Sequence, residues 1–301
     1  MRALEPAGDE LASIDRIGPP LAQSGRTESI TSDLFKLNSR EISELLAGYN
    51  VVYHLAWSTN PASAEASPLT DLEENLAFML RLLEVLQKQP ARLVFVSSGG
   101  TVYGDGGGMP LSEDTPLKPR GVYGATKAAA EAYASAFRMA HSLDVRVARL
   151  ANPYGAGQSR HGSQGVLSRF IQNAVSRTPL EVWGDGTIVR DYIHVSDAVA
   201  AISALGEVSP DVLGKNFIYN VGSGGGTSIR DILEVVQSSI DRPLDVVWAD
   251  GRGFDIPVNR LSIDRISNTL GWRPALGLEQ GVRKTVRELQ EDPARLYSSQ
   301  P

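Results

Sequence analysis

Short apolar, β-branched runs alternate with helix-length stretches along most of this chain. That alternation restricts the fold more than any other property of the sequence. Val51–Leu55, Leu93–Val96, Val145–Leu150 and Phe217–Asn220 read as strands. Ser39–Leu46, Leu69–Gln89, Tyr123–Ala140, Gly165–Ser176, Val195–Leu205 and Ser228–Ile240 read as helices. Strand-then-helix order is the pattern of a parallel sheet wrapped by helices. No internal repeat interrupts it. Gly104–Gly108 and Gly222–Gly226 read as glycine-rich loops rather than domain linkers.

Composition narrows the function classes. With 301 residues, 42% of them hydrophobic, the chain can bury one large core or two modest ones. A formal charge of −6 and a pI near 5.3 argue against a nucleic-acid footprint. The absence of cysteine excludes disulfides, a thiol nucleophile and a Cys-based metal site. His54, His141, His161 and His194 lack ligand spacing, so no metal site is expected. No apolar run reaches membrane-spanning length, and Met-Arg-Ala-Leu-Glu-Pro is no signal-peptide core. The expectation is a cytoplasmic protein without membrane or nucleic-acid partners.

The chemistry concentrates between Ser97 and Lys127. The run Leu93-Val94-Phe95-Val96 ends in Ser97-Ser98-Gly99-Gly100-Thr101-Val102-Tyr103-Gly104, and a Pro-containing loop leads to Tyr123-Gly124-Ala125-Thr126-Lys127. Tyr123 and Lys127 are four apart, hence on one helical face. A lysine ammonium beside a positive nicotinamide would favour the phenolate over the phenol, whose ordinary pKa is about 10. Tyr123 is then a base for a sugar hydroxyl while hydride leaves the same carbon.

These residues resemble the extended short-chain dehydrogenase/reductase family, in its NAD-dependent epimerase/dehydratase branch. The likeness runs from about Leu4 to Val286. It includes Val51–Ala56, Asn75, Arg149-Leu150-Ala151-Asn152-Pro153, Trp183-Gly184-Asp185-Gly186, Arg190–Asp197, Tyr219-Asn220-Val221-Gly222 and Leu270–Pro274. The resemblance implies an α/β, Rossmann-like doubly wound parallel sheet, its first strand absent, with a smaller C-terminal substrate lobe. Residues 1–160 would be mainly the dinucleotide lobe and 161–301 mainly the substrate lobe, interleaved with the first. It also implies NAD as cofactor, a nucleotide-sugar substrate, and a homodimer through helices 69–89 and 123–140.

A dinucleotide domain opens with a strand, a glycine-rich turn and a helix that hold the pyrophosphate. Leu4–Arg16 instead resembles the end of the first helix and the second strand. Asp15 matches the acid for the adenosine ribose, which follows the glycines by about 20 residues. A misassigned start or a truncation is therefore expected. Gly222-Ser223-Gly224-Gly225-Gly226-Thr227 follows a strand and opens a helix, yet matches only part of the fingerprint. It is not expected to be the phosphate loop.

On the cofactor side the resemblance further assigns Asp33 and Leu34 to the adenine edge. Asp33 reads equally well as a helix N-cap. Leu55, Ala56 and Trp57 pass the pyrophosphate and nicotinamide ribose; Trp57 departs from the small residues usual there. Asn75 braces the active-site side, and Ser97, Tyr123 and Lys127 complete the set. The family's third catalytic hydroxyl falls at Gly99, which has none, leaving Ser98 and Thr101 as candidates for the electrostatic role. Gly99-Gly100 also lacks the acid that dehydrating and decarboxylating relatives carry there. That leaves C4 oxidation, ketone rotation and re-reduction. Asn152, Arg190 and Arg252 would grip the diphosphate, since a planar guanidinium donates two bonds to phosphate at once. Asp255 would bind the nucleotide ribose, Trp183 would lie on uracil, and Leu167 would line the donor site, where Val166 replaces a family Asn. The competing readings are an NDP-sugar reductase and a catalytically inactive binding relative.

Overall fold

In the computed structural model, which describes residues 10–16, 27–89, 91–158, 165–251 and 256–292, parallel strands are joined through helices. The chain begins with β1 (Leu11–Asp15), β2 (Thr27–Thr31), α1 (Ser39–Leu46), β3 (Val51–His54) and α2 (Pro61–Ala66). It continues with α3 (Pro68–Asp71), α4 (Ala77–Lys88), β4 (Arg92–Ser98), α5 (Val122–His141) and β5 (Val145–Leu150). β3 and β4 pair in parallel, Val51 opposite Arg92 through His54 opposite Phe95. They belong to a four-stranded sheet ordered Ile218–Val221, β5, β4, β3. β1 and β2 pair in parallel as a sheet of their own, Leu11 opposite Thr27.

Local chemistry explains where the helices start. Asn38 accepts from the N–H groups of Arg40 and Glu41, and the Glu41 carboxylate accepts from the Asn38 N–H. This capping box fixes α1 at the predicted residues. Asn60 does the same with Ser63 and, with Pro61 at the first position, starts α2, which periodicity did not reveal. The single helix expected over Leu69–Gln89 is interrupted. Leu72–Leu76 forms a π-turn between α3 and α4, a feature frequent at functional sites.

The contacts divide the chain into two units. The first takes the chain to Val102, Pro119–Ala148 and Val199–Tyr219; the second takes Tyr103–Lys118, Arg149–Ala198 and Asn220 onward. In the first, Phe78, Met79, Leu82, Leu83 and Leu86 of α4 pack with Leu93 and Phe95 of β4 and Val145 and Val147 of β5. Each such side chain contributes about 1.5–3 kcal/mol when fully buried. In the second, Leu167, Phe170 and Ile171 pack with Leu180, Val182, Ile232, Val236 and Val282. Among the described residues no helix is long and apolar enough to cross a membrane.

Candidate active site

The site in the first unit lies where ligands bind in such sheets, at the carboxyl ends of the strands. α5 begins beyond β4, and its first amide is capped from outside. The Glu65 carboxylate on α2 accepts from the Val122 N–H at 2.6 Å, an anion at the positive helix end. Gly124 packs directly on the loop after β4; a Cβ there would stand 2.6 Å from the Thr101 carbonyl oxygen. These contacts fix the first turn of α5, and so Tyr123.

Lys127 is buried one turn further on. Its ammonium donates to the Val96 carbonyl at 2.9 Å. It sits 3.6 Å from the centroid of the Trp57 ring, 4.9 Å from Phe95 and 5.9 Å from Tyr123. Trp57 in turn stands edge-on to Tyr123, with centroids 6.3 Å apart at 73°. Burial pulls Lys127 down to about 7, against the opposing pull of Glu131 and Asp71. Tyr123 feels burial as well as charge. In the protein alone its phenol is pushed up to about 12, first by burial and then by the Asp71 charge. A cation one turn away does not by itself make a phenolate when both groups are withdrawn from water. Below them lies His54, stacked on Phe95 and held neutral by burial and by Lys127, with its pKa near 3.

Three hydroxyls were in question. The Ser97 hydroxyl donates to the buried Glu131 carboxylate at 2.5 Å. Its predicted cofactor role is thus joined by a structural one that sequence reasoning missed. Ser98 lends its carbonyl to the N–H groups of Thr101 and Val102, closing the turn through Gly99. The Thr101 Oγ1 is buried and has no hydrogen-bond partner among the described residues. Of the two candidates for the hydroxyl lacking at Gly99, Thr101 is the one held against α5 and left unsatisfied.

Asn75 is fully buried and not a solvent-facing helix residue. Its Oδ1 accepts from the Ser58 N–H at 2.8 Å, and its amide donates to Thr59 and Asp71. Asp71, also fully buried, went unremarked in the sequence. The i, i+4 pair Asp71/Asn75 was the available signal.

Other cofactor-side residues take up the edge. Asp15 is exposed at the end of β1. Leu55 is 61% exposed at the end of β3, followed by Ala56. Asp33 caps the short 3-10 helix Leu34–Lys36 by accepting from the Phe35 N–H, so the N-cap role is present. Leu34 packs partly buried on the core. A dinucleotide needs an acid at a strand end for a ribose, apolar surface for a base and buried polar partners near the reacting carbon. Asp15, Leu55 and the unsatisfied Thr101 Oγ1 and Asp71 Oδ2 fit those needs.

In the second unit Asn152 and Arg190 come together. The Asn152 amide donates to the carbonyl of Asp191 at 2.9 Å. Arg190 Nη1 donates to the carbonyls of Val189 and Ile256. Trp183 ends a strand, 37% exposed. The Leu167 side chain is wholly buried in the core of this unit. The helix face that periodicity assigns to residue 167 turns inward, a tertiary outcome. Arg252 and Asp255 lie outside the described residues. The glycine loop at 222–226 is already filled. Asp191 accepts from the N–H groups of Ser223 and Gly224 and from the Ser223 hydroxyl. This internal carboxylate occupies the anion nest, so the loop is not a phosphate site.

A family model described as "NAD dependent epimerase/dehydratase family" matches residues 1–222. The chain is 33% identical over 275 residues to a UDP-glucose 4-epimerase of Mycolicibacterium smegmatis, covering 87% of each chain. It is similar to the crystal structure of a Thermus thermophilus UDP-glucose 4-epimerase in complex with NAD. That match has TM-score 0.85 and 28% identity, and covers 97% of this chain and 94% of the other. A Thermotoga maritima UDP-glucose 4-epimerase with UDP-glucose matches with TM-score 0.86 at 25% identity over 96% and 94%.

Proposed function

The chain belongs to the NAD dependent epimerase/dehydratase family, and on that premise we propose that it is an NAD-dependent nucleotide-sugar 4-epimerase acting on a UDP-sugar. The observation that carries this reading is the Tyr123–Lys127–Thr101 arrangement with glycine at positions 99 and 100. The two buried carboxylates of this unit, Asp71 and Glu131, are engaged by Thr59 and Asn75 and by Ser97. The loop itself, Ser98-Gly99-Gly100-Thr101, offers no acid for elimination.

NAD, when bound, would supply the hydride acceptor and donor for the sugar carbon. Tyr123 accepts the hydroxyl proton at its Oη and gives it back to the same oxygen. Lys127 supplies the cation that stabilises the phenolate. Thr101 donates its free hydroxyl to the reacting oxygen as charge develops there. Asp15, Asp33, Leu34, Leu55, Ala56, Asn75 and Ser97 form the proposed cofactor side, with Trp57 packed on Lys127 beside them. In the second unit Asn152 and Arg190, with Arg252 and Asp255, hold the diphosphate and ribose, and Trp183 meets the base.

The first unit is accordingly the dinucleotide lobe and the second the substrate lobe. A homodimer through α3, α4 and α5 would cover Leu69, Leu72, Tyr133 and Met139, which are exposed. The enzyme would work in the cytoplasm, supplying sugar donors for surface polysaccharide.

The test is interconversion of UDP-glucose and UDP-galactose with substoichiometric NAD. Both epimers should form without net nicotinamide turnover, and Tyr123→Phe should slow the rate about 10²–10⁴-fold with the fold intact. Net consumption of NADH marks a reductase instead. Binding without conversion marks an inactive relative.

A further inference from the structure

The Trp57 indole packs directly on the Lys127 amine. The Lys127 ammonium has three donors. One is taken by the Val96 carbonyl, and the cation sits over the Trp57 ring at 3.6 Å, with the Phe95 ring at 4.9 Å. An indole face at that distance is a strong cation partner when water is excluded. The contact lies in the loop just after β3, at the carboxyl edge where the cofactor side is assembled. Meanwhile the indole N–H is buried with no hydrogen-bond partner among the described residues. The ring thus makes one good contact at the expense of its own donor, which costs free energy wherever it is buried unpaired. A ring in that position holds Lys127 yet has reason to leave.

We propose that Trp57 is a positioning residue that clasps the Lys127 ammonium on its ring face and competes with the dinucleotide for it. Cofactor binding would take the ammonium from the ring face and displace the indole. This rests on the NAD reading above and adds to it that cofactor affinity is held down by a side chain of the protein itself. Tyr123 is coupled to the same movement, because its ring stands edge-on to the indole.

The test compares the full chain with Trp57→Ala and Trp57→Phe in two measurements. Calorimetric titration with NAD should show tighter binding by Trp57→Ala, by about two- to thirty-fold, the range of one desolvated cation–ring contact. Trp57→Phe keeps a ring face and should stay near wild type. A residue that only packs would give the opposite sign. In the second measurement, without any ligand, reductive methylation read by peptide mass should modify Lys127 at least several-fold faster in Trp57→Ala than in the other two proteins. Equal or weaker NAD binding by a folded Trp57→Ala overturns the proposal and leaves the epimerase reading standing. So does equal Lys127 labelling in all three. No NAD binding by any of them overturns both.

Discussion

Replacing Lys127 by Met should make the protein more stable at neutral pH while abolishing its activity. Lys127 is buried against Trp57 and Phe95, and burial lowers its pKa from 10.5 to about 7. Between those two values the unfolded chain binds a proton that the native protein has released. Stability therefore rises with pH through that window. Below pH 7 both states are protonated, and the native protein bears the full penalty for confining the cation. The gap corresponds to about 5 kcal/mol at 1.36 kcal/mol per tenfold. Met has similar reach, carries no charge and packs well on aromatic rings. Against this, the Val96 carbonyl loses its donor, at about 1–3 kcal/mol. The net expectation is that Lys127→Met gains about 2–4 kcal/mol over wild type at pH 6 and loses that advantage by pH 10.5. Urea unfolding of both proteins across that pH range measures the difference directly. A stability difference that does not vary with pH, or a variant weaker than wild type at pH 6, would refute the reasoning.

Thr101→Val should leave the fold at least as stable, because a buried unsatisfied hydroxyl is removed. It should cut kcat by about 10²–10³ in steady-state assays, whereas Ser98→Ala should stay within a few-fold. Gly124→Ala forces a Cβ to within 2.6 Å of the Thr101 carbonyl and 3.1 Å of Pro119 Cβ. It should cost about 1–3 kcal/mol in thermal unfolding and displace Tyr123, lowering kcat more than it changes KM. Arg190→Ala should weaken binding of UDP by about 2–4 kcal/mol in calorimetry while leaving NAD affinity unchanged.

The parts legible in the sequence were those decided by neighbours along the chain. The start of α1 follows from Asn38 and Glu41, three residues apart, and structure and expectation agree there. The shared face of Tyr123 and Lys127 follows from their spacing on α5. The departure at Trp57 was visible as a residue type, but its consequence was not. Seeing it requires β3 and α5 to be brought side by side. Asp71 read as an ordinary helix polar because burial of a helix face is a tertiary property. The same holds for Leu167, whose apolar character suits a ligand wall and a core equally well. The rise at Tyr123 in the protein alone was hidden for a related reason. Spacing along a helix reports a nearby cation, while desolvation depends on everything packed around the pair.

The carboxylate of Asp191 gives the glycine loop a permanent occupant. Gly222 has no room for a side chain, since a Cβ would stand 2.5 Å from the Asp191 Oδ2. The loop is therefore wound around an anion that arrives with the chain itself. Its shape is set during folding and owes nothing to the supply of substrate. The ordering entropy that a free glycine segment loses on meeting its ligand has here been lost in advance. The strand before the loop and the helix after it inherit that rigidity, so this edge of the second unit offers a substrate a surface already in its final form.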